Sequence, residues 1–210
     1  MQQLEDIAER IRLSFEARTT ARDKVLAQAR LLTRYCANAI RAVHRDERSY
    51  ADENLRVARE LVNSLRAVLA EYPDLYYAGY AQDALKEYAE ASIVCALVVN
   101  SQLPSPEELG LEYPTYLQGL AESVGELRRR CMDILRHGHS NEAERLLIHM
   151  DDIYAVLVTM DYPDAITGGL RRLTDIARGV TERTRGDMTI SLRQAELEAS
   201  LQRLEQRLRD

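Results

Sequence analysis

A 3.6-residue recurrence of apolar positions runs through almost the whole chain, and no alternating β-branched run interrupts it. The pattern predicts seven helices. The first covers residues 4–44, with Thr19 and Thr20 as a candidate break. The second follows Ser49, carries Asp52 and Glu53 in its first turn, and ends before Pro73, because the residue ahead of a proline disfavours helix. The third covers residues 76–101 and is followed by "QLPSPEELGLEYP", whose prolines and glycine read as a loop. The fourth opens near Pro114, a residue suited to a first turn, and closes at "HGH", with Gly138 as its C-terminal cap. The fifth starts after Ser140 or Asn141 and ends near Met160. Pro163 opens the sixth, which ends near Gly186. The seventh covers residues 189–208, where leucines at 192, 197, 201, 204 and 208 form a narrow stripe with charged flanks. That stripe suits packing on its own domain or on a partner subunit. With short connections between helices, the expectation is an all-α fold of seven antiparallel helices in one domain, residues 1–210.

The longest apolar stretch, residues 91–99, is far short of the about 20 residues that a spanning helix needs. No membrane association is expected. The N-terminus is amphipathic and charged and lacks the apolar core of a secretory signal. Cys36, Cys95 and Cys131 are odd in number, distant in sequence and set in apolar helical contexts. They read as buried free thiols in a reducing, cytoplasmic setting rather than as a disulfide frame or zinc site. The net charge of −6 excludes a generally basic nucleic-acid binder, though not one whose cations line a single surface. Of 28 basic residues only Lys24 and Lys86 are lysines. Arginine forks suit phosphate and carboxylate; GC-rich coding would produce the same bias. Phosphate-binding glycine loops and serine-nucleophile motifs are absent.

Two helices carry acids where apolar residues are expected. In "LKEYAEASIVCALVV", residues 85–99, each position turns by about 100°, so Asp83, Glu87 and Glu90 fall within one narrow sector. Glu87 lies in line with Tyr80, Ala84, Ala91, Val94 and Val98, which is the core stripe. A carboxylate there needs an arginine, a shared proton or a cation. Glu87 and Glu90, one turn apart, can both reach one hard divalent ion, Mg²⁺ or Mn²⁺. In "RLLIHMDDIYAVLVTM", residues 145–160, Asp151 and Asp152 interrupt an apolar run, with His149 one turn before Asp152. An aspartate in such a run is either a further oxygen ligand or the partner of an arginine on a neighbouring helix. Tyr72, Tyr76, Tyr77 and Tyr80, just ahead of the first acids, suit either packing with a wet hydroxyl or stacking on bases.

Several stretches resemble the translin and Trax (translin-associated factor X) family. "LKEYAEA", residues 85–91, resembles the Trax pattern L-Q-E-Y-V-E-A, and "PTYLQGLAESVGELRRRC", residues 114–131, resembles the family's Y-L-x-G-x-A-x-x-x-G-E-L-x-R-x-C signature. The Asp151–Tyr154 stretch, "LRRLTDIARGVTERTRGDM" and the N-terminal "RDKVLAQARLLTRYCANAIRAVHR" extend the likeness over most of the chain. The resemblance implies a seven-helix translin-type fold, a homo-oligomeric, octameric ring, and binding of RNA or single-stranded nucleic acid. Its Trax branch implies a Mg²⁺-dependent endoribonuclease; its translin branch implies binding without cutting. On the Trax pattern Glu87 and Glu90 fall on two acids that hold the metal and serve catalysis. The third acid falls on Asp152, two residues before Tyr154, with Asp151 as the alternative, since the spacing of the following turn differs by one residue. Glu126 matches an acid shared by both branches. Arg22, Lys24, Arg128 and Arg129 are the candidate phosphate-binding cations.

Overall fold

The computed structural model describes residues 1–138 and 140–209. His139, part of the expected "HGH" connection, lies outside the described residues. Among the described residues every regular element is helical: α1 (Gln2–His44), α2 (Arg48–Leu69), α3 (Pro73–Tyr76), α4 (Gly79–Val98), α5 (Pro106–Leu109), α6 (Tyr113–Leu135), α7 (Ser140–Val158), α8 (Asp164–Thr167) and α9 (Leu170–Arg209). Six are long and three are single turns. The chain groups into two compact units, residues 1–95 with 104–119, and residues 96–103 with 120 onward.

In the first unit α1 and α2 form a hairpin. Residues 45–47 join them, and Asp46 takes the left-handed backbone (φ 61°) that a tight reversal needs. The facing stripes are regular: Val25, Ala29, Leu32, Cys36 and Val43 on α1, and Ala51, Ala58, Val62, Leu65 and Leu69 on α2, all buried. Gln28 Nε2 donates to Ser64 Oγ across the pair at 2.7 Å. Thr19 and Thr20 do not break α1; the helix continues through them, with the Thr20 hydroxyl donating back to the Glu16 carbonyl at 2.9 Å. Val25, Leu65, Leu69 and Ala81 form a core cluster on which Tyr72, Tyr76 and Tyr80 pack. Arg59 Nε donates to the hydroxyl of buried Tyr88 at 3.3 Å, tying α2 to α4. The expected loop after α4 contains α5, which is closed at its start by a reciprocal Ser105–Glu108 capping box and at its end by Gly110 at φ 66°.

In the second unit α7 buries Ala143, Leu146, Met150, Ile153 and Leu157, and packs against α9, which buries Leu170, Ala177, Thr181, Thr184 and Met188. Arg145 on α7 closes the last turn of α4: Nη1 donates to Leu97 O at 2.8 Å and Nη2 to Val98 O at 3.2 Å, satisfying carbonyls that a helix end leaves without partners. The helices expected over 163–186 and 189–208 are one element. Gly186 costs a helix interior about 1 kcal/mol; buried Thr184 and Met188 on either side hold the helix through it. The stop falls earlier, at Gly168 and Gly169, both left-handed (φ 60° and 85°), so Pro163 introduces only the single turn α8.

Candidate functional site

Glu87 and Glu90 lie one turn apart on α4, both half-buried. Their helix is pinned by its own sequence: Leu85, Tyr88 and Ala89 are buried beside them, and Ile93, Val94 and Cys95 follow. Against this face packs the first part of α6. At Gly119 the approach is so close that an added Cβ would sit 2.5 Å from the Ala89 Cβ, 2.8 Å from the Lys86 carbonyl and 2.9 Å from the Glu90 amide nitrogen. Only glycine permits that backbone-to-backbone contact. One turn further along α6 stands Glu122, also half-buried. A carboxylate oxygen from each of Glu87, Glu90 and Glu122 lies within 4.8 Å of the others.

Three carboxylates so placed, partly shielded from water, repel one another, and a positive partner, a shared proton or a bound cation offsets that repulsion. Their charge extends into the surroundings. Burial pushes the Cys36 thiol on α1 far above its ordinary range, and the fields of Glu87 and Glu90 add to that shift. All-oxygen donors within one ion's reach fit a hard divalent cation. Glu87, Glu90 and Glu122 are the groups that could hold such an ion.

Glu122 is absent from the expected set of acids, which takes Glu126 from the same helix. Glu126 is half-buried, with Arg129 Nη1 at 3.5 Å. The signal for Glu122 is a glycine in a helix interior, which marks close backbone approach, followed one turn later by an acid. Asp151 accepts an ion-paired hydrogen bond from Arg185 on α9, the structural alternative the sequence leaves open. Asp152 is exposed on α7 and is not among the grouped carboxylates. Near it, His149 is partly buried and hydrogen-bonded to Arg145 Nη1 at 3.2 Å. Burial and the Arg145 charge push its imidazole below the ordinary value, while Asp152 pulls the other way.

The candidate phosphate-binding cations divide. Arg128 is committed to α9, through Thr184 Oγ1 at 3.0 Å and Asp187 Oδ2 at 2.7 Å. Arg129 is exposed beside Glu126, Arg22 is exposed with Asp23 at 3.0 Å, and Lys24 is exposed. Of the four tyrosines, Tyr77 is exposed and meets Tyr76 edge-on, with ring centroids 5.0 Å apart. The three cysteines are buried and free, as their sequence contexts suggest.

Comparison with known proteins places this all-helical arrangement. The chain is 31% identical over 188 residues to an uncharacterized protein of Methanocaldococcus jannaschii, covering 89% of this chain and 83% of that one. It superposes on AfC3PO from a duplex RNA complex with a TM-score of 0.82 and 31% identity, covering 88% of this chain and 95% of that chain. AfC3PO in a separate crystal structure gives a TM-score of 0.82 at 30% identity. NeC3PO in its apo form shares the fold, with a TM-score of 0.80 at 19% identity. No family model matches the chain. The fold class is that of the C3PO assemblies. Within it, the chain belongs to the translin/Trax family.

Proposed function

We propose that the protein is a Trax-like, divalent-metal-dependent endoribonuclease that binds and cuts single-stranded RNA. The observation that carries this reading is the meeting of Glu87, Glu90 and Glu122 within 4.8 Å on two helices locked together at Gly119. A Mg²⁺ or Mn²⁺ ion held there would supply Lewis acidity toward a phosphodiester and toward water. The chain's own contribution is to fix three anionic oxygens on helices, so that their spacing is set before substrate arrives. Asp152, with Asp151 as the alternative, is a further acid that the family pattern would bring to the reaction. The duplex RNA bound by AfC3PO supports RNA as the ligand class.

A homo-oligomeric ring, octameric as in the family, is part of the same proposal. It is supported by apolar side chains that a monomer would leave wet: Leu4, Ile11 and Phe15 on α1, and Leu197, Leu201 and Leu208 on α9.

The test incubates purified protein with end-labelled single-stranded and duplex RNA, in Mg²⁺, in Mn²⁺ and in EDTA. Cutting of the single strand that stops in EDTA is the expected result. Cutting that survives EDTA, or none with either ion, would overturn the nuclease; salt-dependent binding without cutting would instead assign the non-catalytic translin-like role.

A further inference from the structure

A cleft of about 450 Å³ runs between α1 and α4, lined by Leu26, Arg30 and Thr33 on one wall and by Tyr80, Asp83 and Glu87 on the other. Each wall is a single helical face, since both sets follow the i, i+3 or i+4, i+7 spacing. The two helices run in the same direction here. The Arg22 charge acts on the Tyr80 hydroxyl, Val25 packs with Ala81, and Cys36 lies in the field of Glu87 and Glu90. The cleft is therefore a trough with Tyr80 at one end and Glu87 at the other, about 10 Å apart along α4.

Arg30, Thr33 and the Tyr80 hydroxyl are not spent on the fold. Arg30 is exposed and makes no ion pair among the described residues, although Asp83 and Glu87 line the same cleft. Thr33 is exposed on the same face. The Tyr80 ring packs on the core cluster, and its hydroxyl is buried without a hydrogen-bond partner. Arginine presents a planar fork of donors that matches a phosphate, and hydroxyls add further donors. Glu87 belongs both to this trough and to the carboxylate group.

We propose that the trough is a binding subsite for the RNA strand next to the scissile bond, with Arg30 clamping a neighbouring phosphate and Thr33 and Tyr80 donating to the same backbone. This rests on the reading of Glu87, Glu90 and Glu122 as the cutting site. Contacts to phosphate carry no base information, so the subsite positions the strand without choosing its sequence.

Binding of a labelled single-stranded RNA to the full-length protein in EDTA, over a series of salt concentrations, tests this apart from cutting. Arg30→Ala should weaken binding about tenfold and lower the slope of log affinity against log salt by about 0.7, the loss of one phosphate contact. Arg30→Lys should recover part of the affinity, and Tyr80→Phe should weaken binding about threefold. Arg56→Ala, an exposed arginine on α2 paired with Glu53 and Glu60, should change nothing. In Mg²⁺ the Arg30→Ala loss should fall on KM more than on kcat. Arg30→Ala with unchanged affinity and slope would overturn the subsite while leaving the nuclease intact. A wild-type protein that binds RNA but never cuts would overturn the nuclease, and the binding series would still decide the subsite. A wild-type protein with no affinity for RNA would overturn both.

Discussion

At the scale of single residues, the site depends on charges held where water is partly excluded. Glu122→Gln removes one of three anionic oxygens while keeping shape and packing. Mn²⁺ binding followed by calorimetry should weaken at least tenfold, and cutting should fall by a factor of about 100 or more, roughly 3 kcal/mol of transition-state stabilisation. Unchanged metal affinity would remove Glu122 from the site. His149 supports a pH prediction. Its imidazole is depressed below the ordinary 6.5 by burial and by Arg145. The unfolded chain takes up a proton first, so stability falls as pH drops from about 6.5 toward the lower native value. Glu142, depressed by its hydrogen bond from Arg145, adds a second loss as pH falls below the ordinary carboxylate range. Thermal melts across this range should show the upper step vanish in His149→Gln. Glu87 and Glu90 were legible in the sequence, because the pitch of a single helix fixes their relation. Glu122 was not, since its position relative to α4 depends on how two helices meet.

At the scale of elements, α4 and α6 are positioned by an absence of side chain. An alanine methyl at 119 would overlap the Lys86 carbonyl and the Glu90 amide nitrogen, which belong to the main chain and cannot swing aside. Gly119→Ala should therefore cost about 1–3 kcal/mol by overpacking, despite alanine's better helix propensity. It should also weaken metal binding without touching a carboxylate. A control at Gly125, where an added Cβ meets nothing within 4 Å, should be neutral or stabilising; chemical denaturation of the two variants side by side measures the difference. The helical class was legible from periodicity, and so were the main boundaries near Pro73 and Pro114. The joined α9 was not legible. Locally Gly186 reads as a stop, and what overrides it is the burial of Thr184 and Met188 on either side, which no local pattern reports.

At the scale of the whole molecule, the chain keeps apolar surface at both ends, besides exposed side chains such as Ile148, Val156 and Ile176. No residue before Ala21 is buried, and none of the described residues after Met188 is. The proposed ring predicts that light scattering at moderate concentration gives a mass well above the 24.0 kDa of one chain. Replacing Ile11 and Phe15 together by glutamate should reduce that mass. If the wild-type protein runs as a monomer, the ring is excluded. The amphipathic stripe at the C-terminus was visible in the leucine spacing, but a stripe does not name its partner, so the choice between self-packing and a second subunit stayed open in the sequence.

The length of α9 has a further consequence. Its 40 residues span about 60 Å, yet its own unit buries side chains only as far as Met188. Most helical stability in proteins comes from tertiary packing rather than from propensity. The last turns of α9, about six of them beyond Met188, would then gain their helicity from neighbours rather than from their own fold. Circular dichroism at 222 nm should accordingly rise with protein concentration, and amide protons beyond residue 190 should exchange quickly in dilute solution and slowly in concentrated solution. The tail is in this sense a built-in gauge of assembly, readable without any nucleic acid present.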